Sequence, residues 1–398
     1  MLILNKFAST FLSLSSFALL GQFQNLMNIG SVFSSGGVAD GVVRFTAHYS
    51  NNKMMQQQFW KSALTICSLA SIITFLLLIL FSKWINSILP DSISLPILIV
   101  IASIGFCAGG LNILILATFN GLQLINKWTL GQIGMTFIQL FWWCMMISMY
   151  QLTGAIIAVL TQPVLNLIWL LLLVNKIPEI SFDLFSSKLK KGNILLLLQF
   201  SVMILVSAIL SPLVYMIIRY LIANQLSWTD AGIWQGTWKL SGFFQQILTN
   251  IFAIYYLPNL VKISDNNDLR KFVIKILIRI FVISSISLGG MYLFRYELIN
   301  FMFSAQFQPI IHLLPIQFIG DLARTVGWCF GYILIARKMI VHFIWSELIS
   351  HIIFLSGVFL LLPSFGLMAA PIAYLCESIF YIILIITILN KTLWAKNH

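Results

Sequence analysis

Long apolar stretches without charge are the feature of this sequence that most limits what the chain can fold into. Residues 72–81, 95–116 and 352–362 contain no charged side chain and are predominantly apolar. A helix needs about 20 apolar residues to cross the hydrocarbon core of a bilayer, whereas a barrel strand needs about 10 in strict alternation. Because these stretches show no alternation, they predict membrane-spanning helices.

The composition agrees with a chain that is largely in lipid. Of 398 residues, 60% are hydrophobic and 9% are charged, against about 25% charged in an ordinary soluble domain. Hydropathy and turn residues divide the chain into twelve predicted helices. They cover residues 1–14, 17–49, 59–89, 95–124, 128–150, 155–174, 194–223, 232–261, 272–294, 310–336, 340–362 and 367–389. We therefore predict an all-α, polytopic membrane protein, in which the first helix is too short to span unaided and looks truncated.

The longest polar connection suggests where the chain divides. Residues 175–193 carry four lysines and separate six predicted helices from another six. We predict an N-terminal six-helix bundle at 1–175, a cytoplasmic linker at 176–193 and a C-terminal six-helix bundle at 194–398. Two weak echoes between the halves, at 49–59 with 262–272 and at 119–128 with 330–339, are typical of repeats in transporters, although such short similarities also arise by chance.

Basic residues in the predicted loops indicate the orientation. The net charge is +12, and nearly all loop lysines and arginines fall in alternate connections. Basic loops face the cytoplasm in membrane proteins. We therefore predict that both termini are cytoplasmic.

Ionisable residues inside the predicted helices are the main functional signal. Such a group costs on the order of 3 kcal/mol at the bilayer centre, so it usually meets a partner or a wet cavity. The residues in question are Asp40, Arg44, Arg219, Lys239, Asp321, Arg324, Glu347 and Glu377. Asp40 and Arg44 share one helix face, as do Asp321 and Arg324, so either pair could be a neutralised structural pair.

The basic members of this set predict an anionic ligand. Arg219 and Lys239 have no acidic residue within one helical turn in the sequence. Arg219 lies near a predicted outer loop and could snorkel to that interface, whereas Lys239 lies deeper and is expected to line a cavity. Arginine matches phosphate oxygens with a planar fork, and lysine supplies a compact charge.

A tryptophan cluster near the outer ends of the seventh and eighth predicted helices admits two interpretations. Trp228, Trp234 and Trp238 could stack on sugar rings, or they could belong to the aromatic belt of any membrane protein. The sequence alone leaves both interpretations open.

The sequence contains no pattern typical of an enzyme. Its five histidines are scattered, its acidic residues are dispersed, and it has no glycine-rich phosphate-binding loop. We expect no cofactor, no metal and no nucleic acid partner. If transport is uphill, an ion gradient is the simplest energy source, with Asp40, Asp321, Glu347 and Glu377 as candidate proton carriers.

Three segments resemble a known family. Residues 227–236 read SWTDAGIWQG and are followed by YLP at 256–258; residues 317–336 read QFIGDLARTVGWCFGYILIA; residues 36–51 read GGVADGVVRFTAHYSN. These segments resemble Wzx-type oligosaccharide-lipid flippases of the MOP superfamily, and among them most closely the lipid III flippases of enterobacterial common antigen synthesis. Members of this family begin with a full first helix, so the short segment at 1–14 departs from their pattern.

The resemblance implies a fold, a substrate and binding residues. It implies two six-helix bundles that give alternating access to a cavity between them. It implies transfer of an undecaprenyl-pyrophosphate-linked oligosaccharide, an O-antigen or enterobacterial common antigen unit, from the cytoplasmic to the periplasmic leaflet of the bacterial inner membrane. The protein would then act in polysaccharide and lipopolysaccharide biosynthesis, and its partners would be the polymerase and the chain-length regulator of the same pathway. The bases expected to bind the pyrophosphate are Arg44, Arg219, Lys239 and Arg324, although Lys239 does not map onto a family position.

Two alternatives remain at this point. A multidrug-and-toxin-type exporter would share the twelve-helix plan, but a cationic drug favours an acidic cavity. An integral-membrane glycan polymerase or ligase would carry long periplasmic loops, and no predicted outer loop here is long enough for that.

Overall fold

A computed structural model describes residues 2–83, 94–175, 191–263 and 265–390. Within these ranges the chain is helical and contains no strand. Among the described residues, seven helical stretches are long and apolar enough to cross a membrane, and two of them are 50 residues long. The predicted all-α, polytopic membrane fold is therefore confirmed, whereas the number of twelve helices stays a prediction.

The chain divides into two compact units. One contains Met1–Ala18 and Val214–His398, and the other contains Leu19–Leu213. The chain passes from one unit to the other inside two helices, near Ala18 and near Pro212. Most of the predicted linker, residues 176–190, lies outside the described residues, so the predicted division at 176–193 stays a prediction.

The unit Leu19–Leu213 is built mainly from apolar helices. These are α2 (Leu14–Ser34), α3 (Ala39–His48), α4 (Lys53–Leu80), α5 (Leu95–Gly121), α6 (Ile125–Val174) and the first part of α7 (Lys191–Gln225). Gln151 has φ 49° inside α6, so this long helix breaks where the sequence predicts the boundary between two helices.

The sequence predicts one helix over residues 17–49, and this prediction is wrong. Helix α2 ends at Ser34 and α3 begins at Ala39. Between them, Gly36 and Gly37 have φ values of +67° and +63°, a left-handed conformation that glycine adopts without steric cost and that ends a helix. The break lets Val38 and Val42 pack into the core with Phe59.

The other unit holds the N-terminal helix and the C-terminal helices. They are α1 (Leu2–Phe11), the last part of α7, α8 (Trp228–Ile251), α9 (Leu257–Lys262), α10 (Asn266–Leu293), α11 (Arg295–Met302), α12 (Ile310–Ala336), α13 (Ile340–Phe365) and α14 (Ala369–Leu389). A five-residue π-helix, Phe252–Tyr256, connects α8 to α9. The sequence predicts a helix over 232–261, which agrees with this run.

Helix α1 is fixed to the C-terminal helices by polar contacts. The ammonium of Lys6 donates to the carbonyl oxygens of Asn300 and Phe303 at 2.6 and 2.7 Å. The side chain of Gln306 donates to the carbonyl oxygens of Ser9 and Leu12, both at 2.8 Å. These bonds satisfy carbonyl groups at helix ends, which have no partner within their own helix. Helix α1 covers ten residues, short for a spanning helix, as the sequence predicts.

Candidate functional site

The predicted intramembrane charges concentrate in the unit that contains α7 to α14. Asp321, Arg219, Glu377 and Arg324 are 0%, 1%, 3% and 7% exposed. Charged groups are almost never this buried unless their hydrogen bonds and charges are satisfied. Their partners therefore indicate what each group does.

Arg324 on α12 lies between two carboxylates from other helices. Its Nη1 atom is 2.5 Å from Oε1 of Glu377 on α14, and its Nη2 atom is 3.3 Å from Oε2 of Glu347 on α13. Ser350 on α13 accepts a bond from Arg324 at 3.1 Å and also contacts Glu377. We name Arg324, Glu347, Ser350 and Glu377 the arginine cluster. It ties three helices together through one buried cation.

The packing of α12 against α14 explains how the arginine reaches its partners. Gly320 and Gly327 are seven residues apart, as are Tyr374 and Tyr381, and each tyrosine ring packs on one of these glycines. A side chain at Gly327 would come within 2.7 Å of the Tyr381 ring. The close approach places the Arg324 guanidinium 4.3 Å from the centre of the Tyr381 ring, where a cation–π contact stabilises it.

Asp321 and Arg324 do not form the neutralised pair that is one interpretation of their spacing. Although the two residues are three apart on α12, the Asp321 carboxylate accepts hydrogen bonds from Ser241 at 2.5 Å, Gln245 at 2.8 Å and Tyr374 at 3.2 Å. Arg324 is directed to the glutamates instead. Neutral donors surround the carboxylate, because α8 places Ser241 and Gln245 one turn apart on the face that meets α12.

Arg219 does not snorkel to a surface, which is one interpretation of its position in the sequence. Its side chain is buried, and its Nε and Nη2 atoms donate to the Gln235 side-chain oxygen at 3.1 and 2.5 Å. The guanidinium also lies 5.6 Å from the centre of the Trp234 ring. Lys239, one turn after Gln235 on α8, is half-buried.

The three tryptophans of the predicted stacking cluster have different surroundings. Trp234 is fully buried, and its ring faces are occupied in this conformation. Trp228 and Trp238 are half-buried. The Trp238 ring packs with those of Tyr215, Trp234, Phe354 and Tyr374 at centroid distances of 4.5 to 6.2 Å. A role of these residues in sugar stacking stays a prediction.

Asp40 and Arg44 belong to the other unit. Both lie on α3 and are exposed. A neutralised pair of these two residues stays one interpretation of their spacing. Within the described ranges, no group of three or more histidine, cysteine, aspartate and glutamate residues is arranged to hold a metal ion.

Several polar residues of the site were missed in the sequence. Ser241, Gln245, Gln317, Ser350 and Tyr374 surround the buried charges. Polar residues at a spacing of four share a helix face, and both Ser241 with Gln245 and Gln317 with Asp321 have this spacing. That pattern was visible in the sequence, whereas the direction in which Arg324 points was not.

Comparison with known proteins identifies the family. A sequence profile described as polysaccharide biosynthesis protein matches residues 9–312. The chain belongs to this family. It is also similar to two proteins named lipid III flippase, from Escherichia coli (strain K12) and from Shigella flexneri. Each is 24% identical over 390 residues, which covers 96% of this chain and 91% of the relative.

Solved structures establish the fold more broadly. An inward-facing multidrug resistance MATE family transporter of the MOP superfamily matches with a TM-score of 0.81 at 11% identity, over 98% of this chain and 94% of the other. A MOP superfamily transporter from Pyrococcus furiosus matches with a TM-score of 0.66 at 11% identity, over 98% and 96% of the two chains. The resemblance seen in the sequence is thus confirmed for family and fold.

Proposed function

We propose that this family member is a flippase that moves an undecaprenyl-pyrophosphate-linked oligosaccharide, similar to lipid III, from the cytoplasmic to the periplasmic leaflet of the bacterial inner membrane. The observation that carries the proposal is similarity over nearly the whole length of two proteins named lipid III flippase. The relatives are named for transport, and we accordingly propose no catalytic reaction. Both termini are cytoplasmic in this proposal, because the basic loops require it.

The accessible bases are the better candidates for direct contact with the pyrophosphate. Arg44 is exposed and Lys239 is half-buried, so each has surface that an anion can reach. Arg219 is bound by Gln235, and Arg324 is held by two carboxylates. We therefore assign Arg44 and Lys239 to headgroup contact. Arg219 and Arg324 position the helices around them in this assignment, and a direct contact of either with the headgroup would require its present partners to release it.

Buried acids supply candidate sites for ion coupling. Among the four acids in question, Asp321 and Glu377 are buried, whereas Asp40 is exposed on α3. Intramembrane acids of this kind mark proton or ion relays in many transporters. Glu347 and Glu377 are engaged by Arg324, so release of the arginine would be needed before either acid could take up an ion.

Complementation tests the proposed substrate. The protein is expressed in strains that lack their lipid III flippase or their O-antigen flippase, and the corresponding surface glycan is measured. We expect restored glycan in at least one strain, with a loss of tenfold or more in Arg44→Gln and Lys239→Gln. Arg279→Gln, an exposed residue on α10, is the matched control and should restore export normally. Failure of the wild-type protein in every strain would contradict the proposal.

A second assay separates flippase from drug exporter. The solved MATE structures share the fold, so an exporter of cationic drugs is the function to exclude. Cells expressing the protein are loaded with a cationic fluorescent dye, and its efflux is followed. We expect cells that express the protein to export the dye no faster than cells that lack it. Strong dye efflux without glycan rescue would favour the exporter.

A further inference from the structure

The two halves of α6 enclose an apolar groove. The first half runs from Ile125 to the break at Gln151, and the second half runs back alongside it to Val174. The groove has a volume of about 490 Å³, and every side chain that lines it is aliphatic or aromatic. The lining residues include Phe137, Phe141 and Trp142 of the first half and Leu165, Ile168 and Trp169 of the second. We name this feature the α6 groove.

Contacts between the two halves of the helix fix the shape of the α6 groove. The indole nitrogen of Trp142 donates to the Thr161 hydroxyl at 2.9 Å. Closer to the start of α6, the Trp169 ring packs on Gly134, where an added side-chain carbon would come within 2.2 Å of the ring. Both tryptophans that line the groove are thus held by the opposite half of α6. The groove is therefore formed by the packed helices before any ligand enters it.

The walls of the α6 groove indicate a hydrocarbon ligand. Phe137 and Phe141 are 67% and 73% exposed, on a helix that is long and apolar enough to cross a membrane. Apolar surface of this kind is favourable only against other apolar groups. The volume lies in the range of pockets that bury small ligands, and the lining offers no polar group that would select a sugar or an ion. A lipid chain meets these conditions.

A single cation lies in line with the α6 groove. Lys127 is the only charged residue of α6. It precedes the lining residue Ile138 by eleven residues, which is close to three full turns, so both lie on one face of the helix, about 16 Å apart along its axis. One leaflet contributes about half of a hydrocarbon core that is about 30 Å thick. A phosphate at Lys127 therefore places the end of its acyl chain in the groove.

The surroundings of Lys127 agree with a place at the membrane surface. Its neighbour Trp128 is exposed, and tryptophan is enriched at the level of the lipid headgroups. In the part of the chain that the structure describes, Lys127 belongs to no ion pair. One ammonium matches the single phosphate of a phospholipid, whereas a pyrophosphate carries more charge than this one base neutralises.

We propose that the α6 groove binds one acyl chain of an anionic phospholipid of the surrounding bilayer, and that Lys127 binds the phosphate of the same lipid. The bound chain covers the exposed rings of Phe137 and Phe141. The site lies within the unit Leu19–Leu213, and the proposal does not depend on what the protein transports.

Photo-crosslinking of the full-length protein tests the groove. The protein is placed in phosphatidylcholine nanodiscs that contain phosphatidylglycerol with a diazirine near the end of one acyl chain, and cross-linked peptides are identified by mass spectrometry. We expect the label to concentrate on residues 137–142 and 165–172. Ile168→Trp fills the groove and should lose most of this label, as should Leu172→Trp, a second lining position. Ile286→Trp, at an exposed position of α10, is the matched control and should keep it.

The distribution of the label decides the outcome. Label spread evenly over the exposed apolar helices would overturn the proposal, because it shows ordinary contact with the bilayer. Label that persists in both groove-filling variants would overturn it as well. Because these substitutions lie at partly exposed positions, both variants should keep the melting temperature of the wild type.

A change of headgroup tests the role of Lys127. Lys127→Gln should lower labelling by phosphatidylglycerol about fivefold, as expected for one base at an anionic membrane surface, and Lys127→Arg should retain it. A phosphatidylcholine probe with the same chain should label the groove less and should not respond to Lys127→Gln. Equal labelling by the two probes would overturn the phosphate site. Displacement of the label by an undecaprenyl-pyrophosphate-linked oligosaccharide, but not by unlabelled phosphatidylglycerol, would assign the groove to the transported lipid and overturn the proposal.

Discussion

The guanidinium of Arg324 lies 2.5 Å from the carboxylate of Glu377, a residue 53 positions further along the chain and on a different helix. The contact is buried on both sides and is reinforced by Glu347 and Ser350. A pair of this kind joins α12 to α14 because neither charge can be left alone in an apolar interior. The local arrangement of these helices therefore depends on the arginine cluster.

Removal of the arginine should destabilise the protein strongly. Arg324→Gln leaves Glu347 and Glu377 buried without their cation, and breaking a buried pair in this way costs about 3–5 kcal/mol. We expect a clear fall in the melting temperature of the purified protein in detergent. The double variant Arg324→Gln with Glu377→Gln should recover part of the loss, since one of the two uncompensated charges is also gone.

A charged residue outside the cluster provides the control for this prediction. Lys275 on α10 is exposed, and Lys275→Gln should leave the melting temperature nearly unchanged. Equal effects of Arg324→Gln and Lys275→Gln would contradict the structural role of the cluster.

Two glycines on α8 give a matched test of close packing. A side-chain carbon at Gly232 would lie 2.0 Å from the carbonyl oxygen of Leu14, whereas one at Gly242 would meet nothing within 4 Å. Gly232→Ala should destabilise the protein by about 1–3 kcal/mol through overpacking. Gly242→Ala should be neutral or stabilising by up to about 1 kcal/mol, because alanine is the better helix former. The melting temperatures of the two variants check this prediction. A larger loss of stability in Gly242→Ala than in Gly232→Ala would contradict the close packing of Gly232 on Leu14.

The buried Arg219 should not tolerate lysine. Its two bonds to the Gln235 oxygen use neighbouring nitrogens of one planar group, and an ammonium cannot reproduce that geometry. Hydrogen bonds to charged groups contribute about 1.5–3 kcal/mol, so Arg219→Lys should lower the melting temperature. Arg279→Lys, at an exposed position, should not. If both variants have the melting temperature of the wild type, the Arg219–Gln235 contact does not contribute to stability.

The contacts of α1 predict a local effect. Lys6→Met removes two hydrogen bonds to the carbonyl groups of Asn300 and Phe303, each worth about 0.5–1.5 kcal/mol. Amide hydrogen exchange should accelerate in α1 and α11 without a change elsewhere. Lys53→Met, at an exposed position, serves as the control. Unchanged exchange in α1 would show that its anchoring lies in the apolar contacts alone.

Much of the fold follows from the sequence because lipid imposes simple rules. Long apolar stretches must be helical in a bilayer, so most predicted helices agree with the structure to within a few residues. Residues 17–49 are an exception that arises from two glycines whose left-handed conformation is optional. Hydropathy does not report such a local choice. The end of the predicted helix 59–89, from residue 84 on, lies outside the described residues.

The site was predicted only in part, for a different physical reason. Helix periodicity correctly places Asp321 and Arg324 near each other, but it does not determine which partners each selects. Those partners come from α8, α13 and α14, up to 80 residues away in the sequence. Burial also could not be inferred for Arg219, since the predicted loop nearby made a snorkelling side chain equally reasonable.

The measurement that tests the central claim most directly is transbilayer movement of the lipid itself. The purified protein is reconstituted into liposomes that contain an undecaprenyl-pyrophosphate-linked oligosaccharide, and the fraction accessible to an external glycan-modifying enzyme is followed over time. The account predicts that lipid in the inner leaflet becomes accessible with the wild-type protein, and at least tenfold more slowly with Lys239→Gln. An accessible fraction that stays at its value in protein-free liposomes, in the presence and absence of a pH gradient, would contradict it.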